Sequence, residues 1–339
     1  MTTVTAIIPV YNVKKYLARC LDSVLSQTIP FDRIVLVDDG STDGCKEICD
    51  AYAEKNNQIQ LIHKINGGLV SAWMEGVNQV RTSHICFIDS DDFIAPDYLE
   101  CLLHALEEDI DLVSMQCMQY FDQERQREFK INALPAGVYA IDDTMKSILL
   151  CDHGAFFRPV AICRWGKIIR TDLVREYANY CTQKISYAED QQLLVGVLYA
   201  CKKIKILEVY KYYYQFNDTS ILNSYKKDMW SQILQLMDTI RNIPDIMMVP
   251  NFERQFHTQF LLHVAELFRN EFYNHSLSKQ MYMEIVNHPL LRNALEAYDF
   301  GKMRFADRKI SQYAQKRSYL KTMMFLSLFK TYYMMKGVK

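Results

Sequence analysis

Short apolar runs at Val4 to Val10, Arg33 to Val37, Ile59 to His63 and His84 to Ile88 punctuate the first 116 residues, and stretches of helical period separate them. A strand buried on both faces reads as an unbroken apolar run, while the helix covering it is apolar along one stripe. The alternation predicts an α/β domain with a parallel sheet clothed in helices. Leu17, Cys20, Leu21, Val24 and Leu25 share one helical face between Val13 and Gln27, with Asn12 as the expected cap. Cys45 to Lys55 predicts a second helix, and Leu69, Trp73, Gly76, Val77 and Val80 line a third. Pro96 and Asp97 open a helix that should reach Glu107, and Leu112 to Gln116 predicts another strand.

Beyond residue 116 the pattern weakens. Pro135-Ala136-Gly137 marks a turn, and Ile141 to Leu150 and Ser186 to Ala200 predict helices. Lys203 to Phe216, rich in Ile, Val and Tyr, predicts a strand ending at Asn217-Asp218-Thr219-Ser220. Past Lys226 glycine nearly vanishes and helical periods dominate, as in Leu261, Leu262, Val264, Ala265 and Phe268. The expected organisation is one domain over 1–225, with halves 1–116 and 117–225, followed by a helical region over 226–339.

With 50% apolar residues, the 339-residue chain can build a sizeable core without metal or disulfide staples. Its ten cysteines are scattered and no secretory signal opens the sequence, so buried thiols in a reducing cytosol are expected. Cys45 and Cys49 lie four apart but lack a second Cys or His pair nearby, which makes them core thiols rather than zinc ligands. A net charge of -1 argues against a nucleic-acid binder. That balance hides an asymmetry: residues 302–339 hold ten Lys/Arg against one acid, Asp307, so the tail carries +9 and the remainder -10. Apolar stretches such as Met323 to Phe329 stop short of the roughly 20 residues needed to span a bilayer.

In an open α/β sheet, ligands bind beyond the carboxyl ends of the strands. Three of the first four runs end there in polar clusters: Pro9-Val10-Tyr11-Asn12, Asp38-Asp39-Gly40-Ser41 and Asp89-Ser90-Asp91-Asp92. Tyr11 taken singly reads as well as a rim residue, and Asp38 to Ser41 as a capped strand-to-helix turn. Three carboxylates in four residues repel one another unless cations or donors compensate. A solvated helix start is one reading of Asp89 to Asp92; the other is a divalent ion held by one or two carboxylates and substrate phosphates, as Mg²⁺ or Mn²⁺ is held in nucleotide sites. No Lys follows a glycine-rich phosphate loop and no Gly-x-Gly-x-x-Gly is present, which excludes the usual ATPase and dinucleotide cradles.

Taken in order, Ile7-Ile8-Pro9-Val10-Tyr11-Asn12, Leu21 to Gln27, Val37 to Asp43, Asn66-Gly67-Gly68, Asp89 to Asp92, Trp165-Gly166-Lys167, Glu189-Asp190 and a Tyr-rich strand closing at Ser220-Ile221 resemble the family 2 inverting glycosyltransferases of bacterial cell-surface polysaccharide synthesis. The resemblance covers residues 1 to about 225 and implies a GT-A fold, a Rossmann-like nucleotide-diphospho-sugar transferase domain. It also implies that Pro9 and Tyr11 border the nucleotide base, that Asp38 or Asp39 hydrogen-bonds base or ribose, and that Asn66, Gly67, Asp89 and Ser90 line the nucleotide sugar. Asp89 would face the ribose, and Asp91 would hold Mn²⁺ or Mg²⁺ on the diphosphate. Asp190 matches the general base, with Glu189 as its neighbour. One departure stands out: where the family commonly has Ala-Arg-Asn, this chain reads Ala72-Trp73-Met74-Glu75 and lacks the basic residue.

The implied roles fit elementary chemistry. A sugar hydroxyl is a poor nucleophile until a carboxylate accepts its proton, and the leaving diphosphate gathers negative charge that a metal stabilises. The expected reaction is transfer from a nucleotide-diphosphate donor, UDP-linked, to a hydroxyl of a glycan or lipid-linked acceptor. A catalytically silent nucleotide-sugar-binding subunit and a sugar nucleotidyltransferase are the rival readings. The basic tail mixes its charge with Met323, Met324, Phe325, Leu326, Leu328, Phe329, Tyr332, Tyr333 and Met334, a composition suited to the anionic inner face of a membrane. Packing of that tail on the body or on a partner subunit in an oligomer fits it equally.

Overall fold

The computed structural model describes residues 2–150, 158–216, 225–297 and 303–335, with side chains up to residue 332. In chain order the elements are β1 (Val4–Val10), α1 (Lys14–Leu25), β2 (Arg33–Asp38), α2 (Cys45–Lys55), β3 (Ile59–His63), α3 (Leu69–Gln79), β4 (His84–Phe87), β5 (Phe93–Ile94), α4 (Tyr98–Ala105), β6 (Leu112–Tyr120), β7 (Gln126–Phe129) and β8 (Gly137–Ala140). They continue with α5 (Asp143–Lys146), β9 (Lys167–Arg170), α6 (Thr171–Ala178), α7 (Asp190–Ala200), β10 (Lys203–Gln215), α8 (Met229–Arg241), α9 (Phe252–Tyr273), α10 (Lys279–Asn287), α11 (Pro289–Ala297), α12 (Phe305–Gln315) and α13 (Tyr319–Met335). From Met229 onward the named elements are all helical.

One sheet runs β3-β2-β1-β4-β9-β6-β10-β5, with β7 beside β6 and β8 beside β10. The first four strands in this order are parallel, and β9 sits antiparallel between β4 and β6. Strand alternation divides the core. Val4, Ala6, Ile8 and Val10 pack with α1, α2 and α4, while Ile7 turns to the opposite face among Trp73, Phe87 and Leu194. The helical C-terminal residues, including Phe256, Phe260 and Phe268, join this second cluster. Gly76 lets α3 lie against β1, since an added Cβ would stand 2.5 Å from Ile7. α7 is buried all round, from Gln191 to Tyr199, which fixes its first turn rigidly.

Several boundaries differ from expectation. Asn12 does not cap α1: its side-chain oxygen accepts the Thr42 N–H at 2.8 Å, and Val13 occupies the cap position. The helix expected over Ile141 to Leu150 shrinks to α5, capped by Asp142, and α7 begins at Asp190 rather than Ser186. Ser186 and Tyr187 instead donate their N–H groups to Gln232 at 3.0 and 2.9 Å, which holds this segment out of the helix. β6 runs on to Tyr120 because β10 pairs with it along its whole length. Asn217 to Ile221, Lys302, Lys336 and Lys339 lie outside the described residues. The described cysteines are all free thiols, and Cys45 and Cys49 are buried. No helix among the described residues is long and apolar enough to cross a membrane.

Candidate active site

The carboxyl ends of β1, β2 and β4 lie side by side: the Asp39 N–H donates to the Val10 carbonyl at 2.9 Å and the Ile88 N–H to the Ile7 carbonyl at 3.0 Å. Tyr11, 49% exposed, presents its ring at this edge, whereas Pro9 is buried in β1 opposite Val37. Asp38 and Asp39 are both buried. Asp38 accepts the Ser41 N–H at 3.0 Å and pairs with His63 at 2.9 Å, and the other His63 nitrogen meets Asp50 at 2.9 Å. Burial would lower the His63 pKa, but the hydrogen bonds to Asp50 and Asp38 outweigh it and raise it.

Asp39 gathers the next loop. Its carboxylate accepts from Lys64 Nζ at 2.7 Å, from the Gly67 N–H at 3.0 Å and from the Gly68 N–H at 2.8 Å. Gly40 makes this closeness feasible: its φ is +72°, and an added Cβ would stand 2.9 Å from the Asn66 nitrogen. Asn66, Gly67 and Tyr11 are thus brought to one rim, all solvent-exposed.

The acidic loop leaves β4 and enters the two-residue β5, which pairs with Tyr212 and Tyr213 of β10. Its three carboxylates have different environments. Asp92 is buried and accepts from the Tyr212 hydroxyl and the Gln215 N–H, both at 2.7 Å, so it anchors the loop. The same hydroxyl accepts the Asp89 N–H at 3.1 Å. Ser90 is buried beside it. Asp91 stays partly accessible, its carboxyl raised by burial, and its carbonyl accepts from Arg19 at 3.4 Å.

Opposite the acidic loop stands the start of α7. Ala188 holds a left-handed φ of +53°, a strained setting for a residue with a side chain, and turns the chain directly before Glu189 and Asp190. Tyr187 anchors that segment from below, its hydroxyl 2.8 Å from the buried His263 of α9. Between the loop and the helix lies Arg164, whose side chain is only 2% exposed. Its Nη1 is 2.5 Å from Asp190 and 3.6 Å from Glu189, and its Nη2 is 3.9 Å from Asp89. A parallel bridge between Phe87 and Trp165 places Arg164 at the end of β4. Trp165 stacks on Tyr212 at 4.8 Å, Gly166 takes a φ of +69°, and the buried Lys167 donates to the Trp165 carbonyl at 3.5 Å.

The electrostatics follow from the count of charges. Asp89, Glu189 and Asp190 share one guanidinium. Burial, Asp190 and Asp91 push Asp89 up to about 7 against the pull of Arg164. Burial and then Asp190 push Glu189 up to about 7 as well. For Arg164, burial would lower the pKa, but Asp190, Glu189 and Asp89 together raise it. Among the described residues no group of three or more His, Cys, Asp or Glu could hold a metal by itself. The donor set of Asp91 with Asp89 nearby suits a hard divalent ion whose other ligands are phosphate oxygens and water.

The structure therefore brings Asp89, Glu189 and Asp190 together around Arg164, with Asp91 on the same loop as Asp89. It also gathers Asp39, Asn66 and Gly67 into a second group, while Pro9 and Asp38 are held within the fold. Arg164 and Tyr212 were not legible as site residues. The missing basic residue at Trp73 was the one hint that a cation had to arrive from elsewhere.

Known proteins resemble this chain in sequence and in fold. The family model for Glycosyl transferase family 2 matches residues 5–165. EpsH of Bacillus subtilis (strain 168) is 25% identical over 287 residues, covering 84% of this chain and 81% of its own. The glycosyltransferase GlyA of Streptococcus pneumoniae is 44% identical over 105 residues, 31% of this chain and 15% of its own. The crystal structure of S. aureus TarS 1-349 in complex with UDP-GlcNAc superposes with a TM-score of 0.67 at 18% identity, covering 97% of this chain and 92% of that one. Residues 5–165 thus belong to glycosyl transferase family 2, and the chain carries this glycosyltransferase domain on a GT-A fold with a helical C-terminal region.

Proposed function

We propose that this protein transfers one sugar, with inversion, from a UDP-sugar to a hydroxyl of a glycan or lipid-linked acceptor during bacterial surface-polysaccharide synthesis. The observation that carries the reading is the meeting of the Asp89 to Asp91 loop and the Glu189-Asp190 pair across one guanidinium. Tyr11 and the Asp39 loop border the base, and Asp89 faces the ribose. Asp190 accepts the acceptor's proton as the hydroxyl attacks the anomeric carbon. Mn²⁺ or Mg²⁺ held by Asp91 and the donor's phosphates would stabilise the leaving diphosphate as a Lewis acid. Base and leaving group on opposite sides of the sugar give in-line displacement and hence inversion. The complex of the TarS structure with UDP-GlcNAc supports the choice of donor class.

A panel of UDP-sugars assayed for UDP release, with the anomeric configuration of the product read by NMR, tests the proposal. UDP release with an inverted product is expected. Pyrophosphate as product would make the protein a nucleotidyltransferase, and tight UDP binding without turnover would make it a silent binding subunit.

The surface of α13 favours a site of action at a membrane. Leu320, Met324 and Leu328, spaced by four, are exposed at 73%, 65% and 70%, and Lys316, Arg317 and Lys321 are exposed at the same end. Such a stripe suits an anionic lipid surface. Flotation with phosphatidylglycerol vesicles should recover the wild type, and a variant with Glu at all three apolar positions should stay behind; equal recovery contradicts the lipid assignment.

A further inference from the structure

Position 73, where the resemblance leads one to expect a basic residue, holds a fully buried Trp whose ring meets Phe87 edge-on at 6.2 Å. The space beside that ring is filled by a cation. The Arg164 guanidinium lies 5.6 Å from the Trp73 ring centre and 5.8 Å from that of Phe87. Among the ion pairs of the described residues it meets all three of Asp89, Glu189 and Asp190, while Lys226 attracts Glu189 from farther off. Arg19, at the other end of the loop, donates through Nη2 to the Asp91 carbonyl and to Gln215, and its charge acts on Asp91.

We infer that Arg164 is a positioning residue for glycosyl transfer: it replaces a cation missing from α3 with one delivered from the segment before β9, and its single guanidinium sets the donor-side carboxylate against the proton-accepting pair. The inference rests on the transfer reading above. Three features point to positioning rather than packing. A desolvated guanidinium is retained only where its charge is matched, and here it is matched by carboxylates of both elements. Its Nη1 lies 2.5 Å from one Asp190 oxygen and 3.6 Å from Glu189, so the pair at the start of α7 is held in place by its charge. Finally, the Phe87–Trp165 bridge and the Trp165–Tyr212 stack tie Arg164 to the hydroxyl that carries the acidic loop.

The test compares Arg164→Met, Arg164→Lys and the relocation variant Trp73→Arg/Arg164→Met with wild type. Folding is followed by circular dichroism and thermal melting, UDP affinity by calorimetry with Mn²⁺, and turnover by UDP release from a UDP-sugar the wild type accepts. Arg164→Met is expected to keep its fold and its UDP affinity within about threefold, while kcat falls about 100-fold with little change in donor KM. Arg164→Lys should fall between it and wild type, and relocation should recover at least about tenfold of the lost kcat.

A kcat within threefold of wild type for Arg164→Met overturns the inference. So does a parallel loss of melting temperature, UDP affinity and kcat that relocation does not repair, or failure of both Met-containing variants to fold, since each makes the role purely structural. If the wild type neither binds UDP nor releases it from any UDP-sugar, the transfer reading itself fails and takes the inference with it. That result is distinct from an active wild type with an equally active Arg164→Met.

Discussion

Two groups of carboxylates stand at the same edge of the sheet and are treated in opposite ways. Asp38 and Asp39 are surrounded by donors: Ser41, Gly67 and Gly68 give backbone N–H groups, and His63 and Lys64 give side chains. Asp89, Glu189 and Asp190 share one guanidinium, and two of the three have raised pKa values. Satisfied carboxylates build turns and hold loops. Carboxylates left short of positive charge are poised to take up a cation or a proton, and that is the chemistry proposed for them.

The comparison breaks most visibly if the second group proves inert. Asp190→Asn should lower transfer about 10²–10⁴-fold, the usual span for a lost general base, with UDP affinity within about threefold of wild type. Next in size, Asp91→Asn should abolish the Mn²⁺-dependent gain in UDP affinity, a loss of tenfold or more by calorimetry, in the manner of a lost carboxylate ligand. Retained metal dependence there would move the cation site elsewhere.

A third expectation concerns stability. Glu189 rises from 4.5 to about 7 through burial first and Asp190 second, so the folded state keeps a proton that the unfolded chain gives up between those two values. The native form then binds more protons in that window, and stability falls as pH rises from about 4.5 to about 7 and levels off above it. Asp89, also raised to about 7, adds a limb of the same sign, so Glu189→Gln should make the fall between pH 5 and pH 8 shallower without removing it. Denaturant melts at pH 5 and pH 8 would show it, and an unchanged slope would contradict the assignment. The smallest effect belongs to the satisfied group: Asp38→Asn should alter UDP affinity less than about threefold, because its carboxylate is already engaged by Ser41 and His63.

The legible and illegible parts of the molecule differ in the range of their contacts. β1, β2 and β4 announce themselves because strands buried on both faces need apolar runs, and the polar residues that follow them must lie at the sheet edge. β5 has two residues and β9 four, and each exists only because a distant partner pairs with it, Tyr212 and Tyr213 in one case, His84 and Leu112 in the other. Asn12 misled for a related reason: its amide serves a loop 30 residues away instead of the helix it precedes. Arg164 carries no local pattern, lying between Cys163 and Trp165, and only its placement against three remote carboxylates gives it meaning.

The central claim is that Asp91 and Asp190 serve opposite sides of one donor. A crystal structure of the protein with UDP and Mn²⁺ measures this directly. The account predicts an Asp91 oxygen about 2.1–2.2 Å from the ion, with the diphosphate on its far side and the Asp190 carboxylate facing open acceptor space without touching the metal. Binding of UDP away from the Asp89 to Asp91 loop, or ligation of the ion by Asp190, would contradict it.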